Sequence, residues 1–205
     1  MPYECGKAAM RRLHEPGFGT RYFVGDGIDI GGGYDPLWSY RELFPAIRSC
    51  RNWDLEDGDA QLLETIPDET FHFVHSSHCL EHMADPFEAL AHWFRVLRPG
   101  GHLVVLVPDE DLYEQGVWPS TWNSDHRSSF TLWKPRSWSP ASVGVFDLIM
   151  SLGACAEPIK MQLLDCSYRW GYAADARRDQ TQLITGECAI EFIVRKLGKP
   201  RDRTD

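Results

Sequence analysis

The chain has 205 residues, 43% of them hydrophobic and 25% charged, and a formal net charge of −9. That length supplies one well-buried core rather than two, and the balance is that of a globular domain, not a disordered one. The acidic excess speaks against nucleic acid as a partner, because a phosphate backbone calls for a basic stripe.

Met1 to Leu13 is polar and lacks the apolar stretch of a secretory leader. Tyr3 to His14 can form a short helix, and its Arg11-Arg12 pair, like Arg177-Arg178 later, reads as solvated surface. Gly25 to Ile30 reads as a buried strand running into Gly31-Gly32-Gly33, with a helix expected around Ser39 to Ile47. A second strand is expected over Cys50 to Asp54, a helical stretch over Ala60 to Thr65, and a strong strand over Phe71 to Ser76 after the Pro67-Asp68-Glu69 turn. Pro86 to Leu97 places Phe87, Leu90, Ala91, Phe94 and Leu97 at helical spacing, with Asp85 as cap, Pro86 at the first helical position and Arg98-Pro99-Gly100-Gly101 as the stop. His102 to Val107 is a near-continuous apolar run, suited to a central strand covered on both faces.

Strand, glycine turn, helix and strand in alternation mark a parallel sheet with crossover helices. Asp109 to Pro140 interrupts the rhythm: it is long, rich in Trp, Pro and Ser, and has no clear period, as functional loops are. A helix near Ser142 to Ser151 and strands over Ile159 to Leu164 and Cys188 to Lys196 complete the pattern, and the polar tail after Leu197 is expected to fray. No apolar run approaches membrane-spanning length. None of the six cysteines falls in a C-x-x-C pair or at zinc-knuckle spacing, so free thiols in a reducing cytoplasm are expected. The whole chain, 1–205, is read as one domain: an N-terminal helical lid (1–24), a ligand-binding half (25–108), an aromatic-rich substrate loop (109–140), a C-terminal helix and strands (141–197) and a tail (198–205).

In open α/β sheets the ligand lies outside the carboxyl ends of the strands. Gly31 to Gly33, Asp54, the Asp59-Ala60 pair, Ser76 to His78 and Pro108-Asp109 all occupy or follow such ends. The glycine run lacks the third glycine of a dinucleotide fingerprint, and no phosphate loop is present. It suits a ligand that approaches the backbone closely without a pyrophosphate. Asp54 is placed to accept from ribose hydroxyls, and Asp59 from an adenine amino group while the Ala60 N–H donates to the ring; plain cap aspartates are the alternative for both. Asp29, inside the first strand, is costly unless paired.

These residues resemble the class I S-adenosylmethionine-dependent methyltransferases. Gly27-Ile28-Asp29-Ile30-Gly31-Gly32-Gly33 resembles the first motif of that family, and Gly58-Asp59-Ala60 followed by Pro67 to Val74 resembles its adenine-site turn and next strand. Cys79-Leu80-Glu81-His82 with Asp85-Pro86 resembles its leucine-glutamate-histidine signature, and Arg95 to Gly101 its proline-glycine-glycine turn. The resemblance covers Gly25 to Val107. It implies a Rossmann-like, doubly wound sheet of about seven strands, mostly parallel with an antiparallel last strand. It also implies S-adenosyl-L-methionine as cofactor, held by Asp29, Gly31, Gly32, Gly33, Asp54, Asp59, Ala60, Ser76 and His78, and methyl transfer by in-line displacement.

His78-Cys79-Leu80-Glu81-His82 also matches the inverted zincin pattern H-x-x-E-H. That chemistry needs a regular helix, and here the motif leaves a strand abruptly and soon meets Asp85-Pro86. No metal is therefore expected, and His82 reads as a packed or capping histidine. His126 is the candidate general base for an acceptor hydroxyl, with a surface-loop histidine as the alternative. Around it, Trp118, Trp122, Phe130, Trp133 and Trp138 suit either stacking on an acceptor or a satellite core, with Trp118 and Trp122 the candidate substrate contacts. The expected function is O-methylation of a small molecule or glycan, with no nucleic-acid or membrane partner. A catalytically silent cofactor-binding or regulatory module is the alternative. A nicotinamide-dependent reductase is disfavoured by the missing third glycine and the lack of a Tyr-x-x-x-Lys pair. One of Lys7, Arg11 and Arg12, foremost Arg12, is placed to meet a ligand carboxylate, with a solvated helix face as the alternative.

Overall fold

A computed structural model describes residues 4–173 and 177–198. Glu4–Arg12 forms helix α1, and after Gly17, in the left-handed region at φ 74°, a helical turn α2 follows over Phe18–Arg21. Strand β1 is Gly25–Ile30 and β2 is Ile47–Trp53. Between them the expected helix is a 3-10 helix over Leu37–Leu43. Pro36 and Pro45 bracket it, and a residue before proline is pushed out of the α region, so a full α-helix has no room.

β3 is Phe71–Ser77, helix α3 is Pro86–Arg95 and β4 is Leu97–Pro108. Asp85 caps α3 as expected, its side chain accepting from the Phe87 and Glu88 amides. The buried face differs from the expected one: Pro86, Ala89, Leu90, Trp93 and Phe94 point inward, while Phe87 and Ala91 are exposed. Trp93 decides this rotation, because its indole donates to the Ala60 carbonyl at 2.8 Å and a buried N–H needs such a partner. Ala60 to Thr65 forms turns rather than a helix, with Leu63 buried at a left-handed φ of 47°.

The long segment after β4 is more ordered than its composition suggests. It holds a π-helical turn over Glu110–Glu114, and its short strand β5 (Ser129–Thr131) pairs in parallel with β6 (Ser142–Gly144). Helix α4 covers Val145–Met150, β7 Ala156–Leu164, a helical turn α5 Trp170–Ala173, and β8 Ala189–Lys196. All but the first residue of the expected tail lies outside the described residues.

The main sheet runs β2-β1-β3-β4-β8-β7. β1 to β4 are parallel, and β8 runs antiparallel to both β4 and β7. The antiparallel last strand is as expected, but among the described residues the sheet has six strands, not seven. Asp54 to Thr70, which links β2 to β3, is too short to add both a strand and its crossover, since a parallel connection alone takes about a dozen residues. β2 is therefore the edge. Its exposed Arg48 and Arg51 put charge on that edge, which discourages further pairing.

Both faces of the sheet are covered. Ile28, Ile30, Val74, Leu103, Val105 and Val194 pack under α3 and α4. Phe73, Val104 and Ile193 face the other way, onto Ala9, Phe18, Phe23, Leu37 and Phe44. No helix of the described residues is long and apolar enough to cross a membrane.

Candidate functional site

From β1 the chain moves outward to β2, then returns to β3 on the other side, which opens a cleft at the carboxyl ends of β1 and β3. Gly31 to Gly33 floor this cleft. Gly31 has φ 76°, and a side chain there would overlap the Cys79 thiol. On Gly32 a side chain would overlap Asn52 Oδ1 and Asp29 Oδ2. The loop is thus glycine for its own packing as well as for an open floor.

Two cavities meet at Gly31. The smaller, about 250 Å³, is lined by Glu4, Cys5, Asp29, the three glycines, Tyr34, Asp35 and Ser77. The larger, about 750 Å³, includes Asp54, Asp59, Ala60, His78, Cys79, His82, Met83 and His126 in its wall. Asp29 is paired, as a buried carboxylate must be: Oδ2 accepts from the Leu37 amide at 2.6 Å and Oδ1 meets His75 Nδ1 at 2.6 Å. Arg12 lies 3.2 Å from His75 Nε2 and can only donate, so Nε2 accepts and Nδ1 carries the proton given to Asp29.

Asp54 and Asp59 both cap turns and both line the cleft. Asp54 Oδ1 accepts from the Leu55 amide at 2.8 Å, and Asp59 Oδ1 from the Gln61 amide at 2.7 Å. Ser76 is not at the wall: it is buried within the sheet, its hydroxyl donating to the Ile30 carbonyl at 3.0 Å. The alternation of β3 puts its neighbour Ser77 there instead, with a buried Oγ that has no hydrogen-bond partner. A one-residue error in strand phase explains the misplaced serine.

The basic pair of α1 is not solvated surface. Arg12 is 1% exposed and its Nε donates to Glu191 Oε2 at 2.8 Å. Arg11 joins the same carboxylate through Nη2 at 2.9 Å, and buried Lys7 donates to the Thr181 and Gly186 carbonyls. None of the three lines the two cavities. The α1 residues that do line the smaller one are Glu4 and Cys5, and Glu4 Oε2 is buried and accepts no hydrogen bond. Burial raises its pKa against the opposing pull of His78 and Lys7. Its only sequence signal was a carboxylate in the first turn of an amphipathic helix.

His126 is not a surface-loop histidine. The Glu81 carbonyl accepts from the Arg127 and Ser128 amides at 2.7 and 3.2 Å, pinning the loop onto the turn Leu80–His82. His126 is thereby buried, with Nδ1 2.8 Å from Glu114 Oε1 and its ring against those of His82 and Tyr113. His78 takes a left-handed φ of 54°, which aims its ring between Glu81 (3.4 Å) and Glu4 (3.8 Å). Burial opposes the charged form of His78, but Glu81 outweighs it and the pKa is raised. A third cavity of about 240 Å³ is shared by Glu4, His78, Glu81, His82, His126, Tyr113 and Trp122.

Trp122 reaches that wall with its indole tied to the Tyr113 carbonyl at 2.8 Å, whereas half-buried Trp118 lines none of the three cavities. Of the remaining loop aromatics only Phe130 enters the core; Trp133 and Trp138 are exposed.

Residues 42–105 match the family model described as a methyltransferase domain. The matched segment is similar to that domain and makes up less than half of the chain. A solved S-adenosylmethionine-dependent methyltransferase from Archaeoglobus fulgidus aligns with a TM-score of 0.57 at 17% identity, covering 93% of this chain and 92% of that one. One from Mesorhizobium loti aligns at 0.56 and 15% identity, covering 95% and 98%. At these identities the likeness is one of fold. An uncharacterized 37.1 kDa protein in a Streptomyces fradiae transposon is 43% identical over 70 residues, which is 34% of this chain and only 18% of that relative's length.

The matched segment runs from the 3-10 helix before β2 through most of β4, and so holds Asp54, Asp59, Ala60, Ser77 and the Glu81-His82 turn. Glu4, Glu114, Trp122 and His126 all lie outside it.

Proposed function

We propose that the chain binds S-adenosylmethionine along the cleft and transfers its methyl group to a hydroxyl of a small molecule or glycan. The observation that carries this reading is the junction at Gly31 of a narrow cavity and a broad one, each with polar groups suited to one half of that ligand. In the narrow cavity, Glu4 Oε2 and Ser77 Oγ are buried without partners and suit the ammonium end of the methionine moiety. In the broad one, Asp54 faces the ribose, and Asp59 with the Ala60 amide faces the adenine. Asp29 and His78 hold the walls between them. The ligand supplies an activated methyl on a sulfonium.

The rest is the work of this chain's residues. The glycine floor and the Cys79-Leu80 turn set the methyl's direction, and the Trp122 side of the third cavity bounds the acceptor. Orientation of this kind contributes about 7–11 kcal/mol. His126 acts at the acceptor oxygen rather than on the cofactor: it lines the broad cavity and is held there by Glu114.

Isothermal titration of the full chain with S-adenosylhomocysteine is expected to show one site; no heat at millimolar ligand with a folded chain overturns the reading. Sugars and phenols screened for methyl uptake then identify the acceptor. With it in hand, His126→Ala is expected to lower single-turnover rates about 10²–10⁴-fold while cofactor affinity stays within about twofold.

A further inference from the structure

Behind the cleft stands a group of ionisable side chains that the cofactor reading leaves unexplained. Glu81 is fully buried, and neither of its carboxylate oxygens accepts a hydrogen bond. Two imidazole nitrogens lie near it, His78 Nδ1 at 3.4 Å and His126 Nε2 at 3.9 Å. A buried carboxylate without hydrogen bonds carries a large desolvation penalty unless a cation meets it.

The two neighbouring imidazoles are prepared for such a cation. His82 Nδ1 lies 3.1 Å from the Asp125 carbonyl, and His126 Nδ1 lies 2.8 Å from Glu114 Oε1. Both partners are acceptors, so each Nδ1 carries the proton and each Nε2 presents a lone pair. A histidine whose second nitrogen donates to a carboxylate or carbonyl is the usual arrangement around a bound metal. One donor atom from each of Glu81, His82 and His126 lies within 4.8 Å of the others. Bonds of about 2.0–2.2 Å to a shared ion set such atoms roughly 3–4 Å apart, a gap that small side-chain rotations close.

We propose that Glu81, His82 and His126 hold a divalent transition-metal ion at the acceptor end of the cleft. Two imidazoles and one carboxylate suit zinc, manganese or iron(II) better than calcium or magnesium, which favour all-oxygen shells. Three protein ligands leave positions open. His82 and His126 line the large cavity, and together with Glu81 they line the small one beside Trp122, so the open positions face the space between.

The chemical role of the ion, unlike its binding, rests on the methyl-transfer reading of the cleft. An acceptor hydroxyl that coordinates there becomes more acidic and releases its proton to water. Its oxygen forms the new bond to the methyl carbon as the carbon–sulfur bond breaks, and sulfur keeps the electron pair as a neutral thioether. The His126 Nε2 lone pair belongs to the ion, so His126 positions and charges the acceptor through the metal and is not the proton carrier.

The test is cobalt(II) titration of the chelator-treated, dialysed full chain, followed by visible absorption. One equivalent should bind, with d–d bands of a low-symmetry nitrogen–oxygen site, and zinc(II) should displace it. Glu81→Gln, His82→Gln and His126→Gln should each weaken cobalt about 100-fold or more, and Glu114→Gln, which touches only the far nitrogen of His126, about 10–100-fold. His14→Gln, at an exposed histidine, should change nothing. Metal-free Glu81→Gln should keep the far-UV circular dichroism of the parent and a single cooperative melt, and this guards against loss of fold as the explanation. No stoichiometric binding by the folded chain, or binding that survives all three ligand substitutions, overturns the proposal. Titration with S-adenosylhomocysteine is run alongside. Cofactor binding without cobalt sinks only the metal site, and cobalt binding without cofactor sinks the methyl-transfer reading.

Discussion

His102 shows how one residue's surroundings set a measurable property of the whole chain. It sits at the start of the apolar run of β4, opposite Arg195 of β8, with the Tyr22 ring edge-on at 5.2 Å. Burial, then Arg195 and Arg21, push its pKa down from 6.5 to about 4, with Glu157 pulling weakly the other way. The unfolded chain therefore takes up this proton near pH 6.5, and the folded chain only near pH 4. Between those values protonation favours the unfolded state, so stability is lost as pH falls. His102→Gln should flatten the fall in melting temperature between about pH 6.5 and 4.5 relative to the parent, as read by differential scanning fluorimetry. Parallel curves for the two proteins would show that His102 does not carry this dependence.

At the scale of elements, α1 is held by charge as much as by apolar contact. Glu191 of β8 is fully buried and meets Arg12 Nε at 2.8 Å, Arg11 Nη2 at 2.9 Å and Lys160 Nζ at 2.8 Å. Burial works to raise its pKa, but Arg12, Arg11 and Lys160 outweigh it and hold the carboxyl far below the usual range. This network joins α1 to β7 and β8, and so fixes the helix that carries Glu4 to the cavity wall. Glu191→Leu should leave Arg12 buried and uncompensated, at about 3–5 kcal/mol of stability. For a chain of this size the melting temperature should drop by roughly 10 °C. Arg12→Met added to Glu191→Leu should recover part of the loss, since a well-packed apolar pair replaces a buried ion pair with little penalty. A drop of under about 1 kcal/mol for Glu191→Leu would mean that α1 docks through its apolar face alone.

For the molecule as a whole, the cleft belongs to no single element. Its walls come from α1, the turns after β1, β2 and β3, and the loop after β4. A ligand that bridges them and binds only the folded state must stabilise it by mass action. At about 100 times its dissociation constant, S-adenosylhomocysteine should add about 2.7 kcal/mol. That corresponds to a rise in melting temperature of roughly 5–11 °C. Asp54→Asn is the informative comparison. Asparagine caps a turn as well as aspartate does, so the apo melting temperature should hold. The ligand-induced rise should shrink, because the charged acceptor proposed for the ribose hydroxyls is gone. Equal rises in the two proteins would remove Asp54 from the ribose site.

The sequence by itself determined the features whose causes lie within a few residues. The Gly31-Gly32-Gly33 turn, the Asp85 cap with Pro86 behind it, and the apolar run of β4 appear where local geometry and side-chain periodicity put them. Asp54, Asp59 and Ala60 reach the cleft because strand ends in a parallel sheet converge on one edge. Tertiary structure alone decided what depends on partners far along the chain. Arg12 looks like a surface cation until Glu191 of β8 and His75 of β3 close around it. The face of α3 rotates to satisfy one indole on Ala60, and Ser77 rather than Ser76 reaches the cavity through the phase of β3. His126 reads as a loop residue, yet the Glu81 carbonyl holds its loop down and Glu114 orients its ring. In each case a buried charge or N–H had to find a partner, and the cost of leaving it without one selected the arrangement. Such partners are chosen by the packing of the whole chain, and residue order in the neighbourhood carries no record of them.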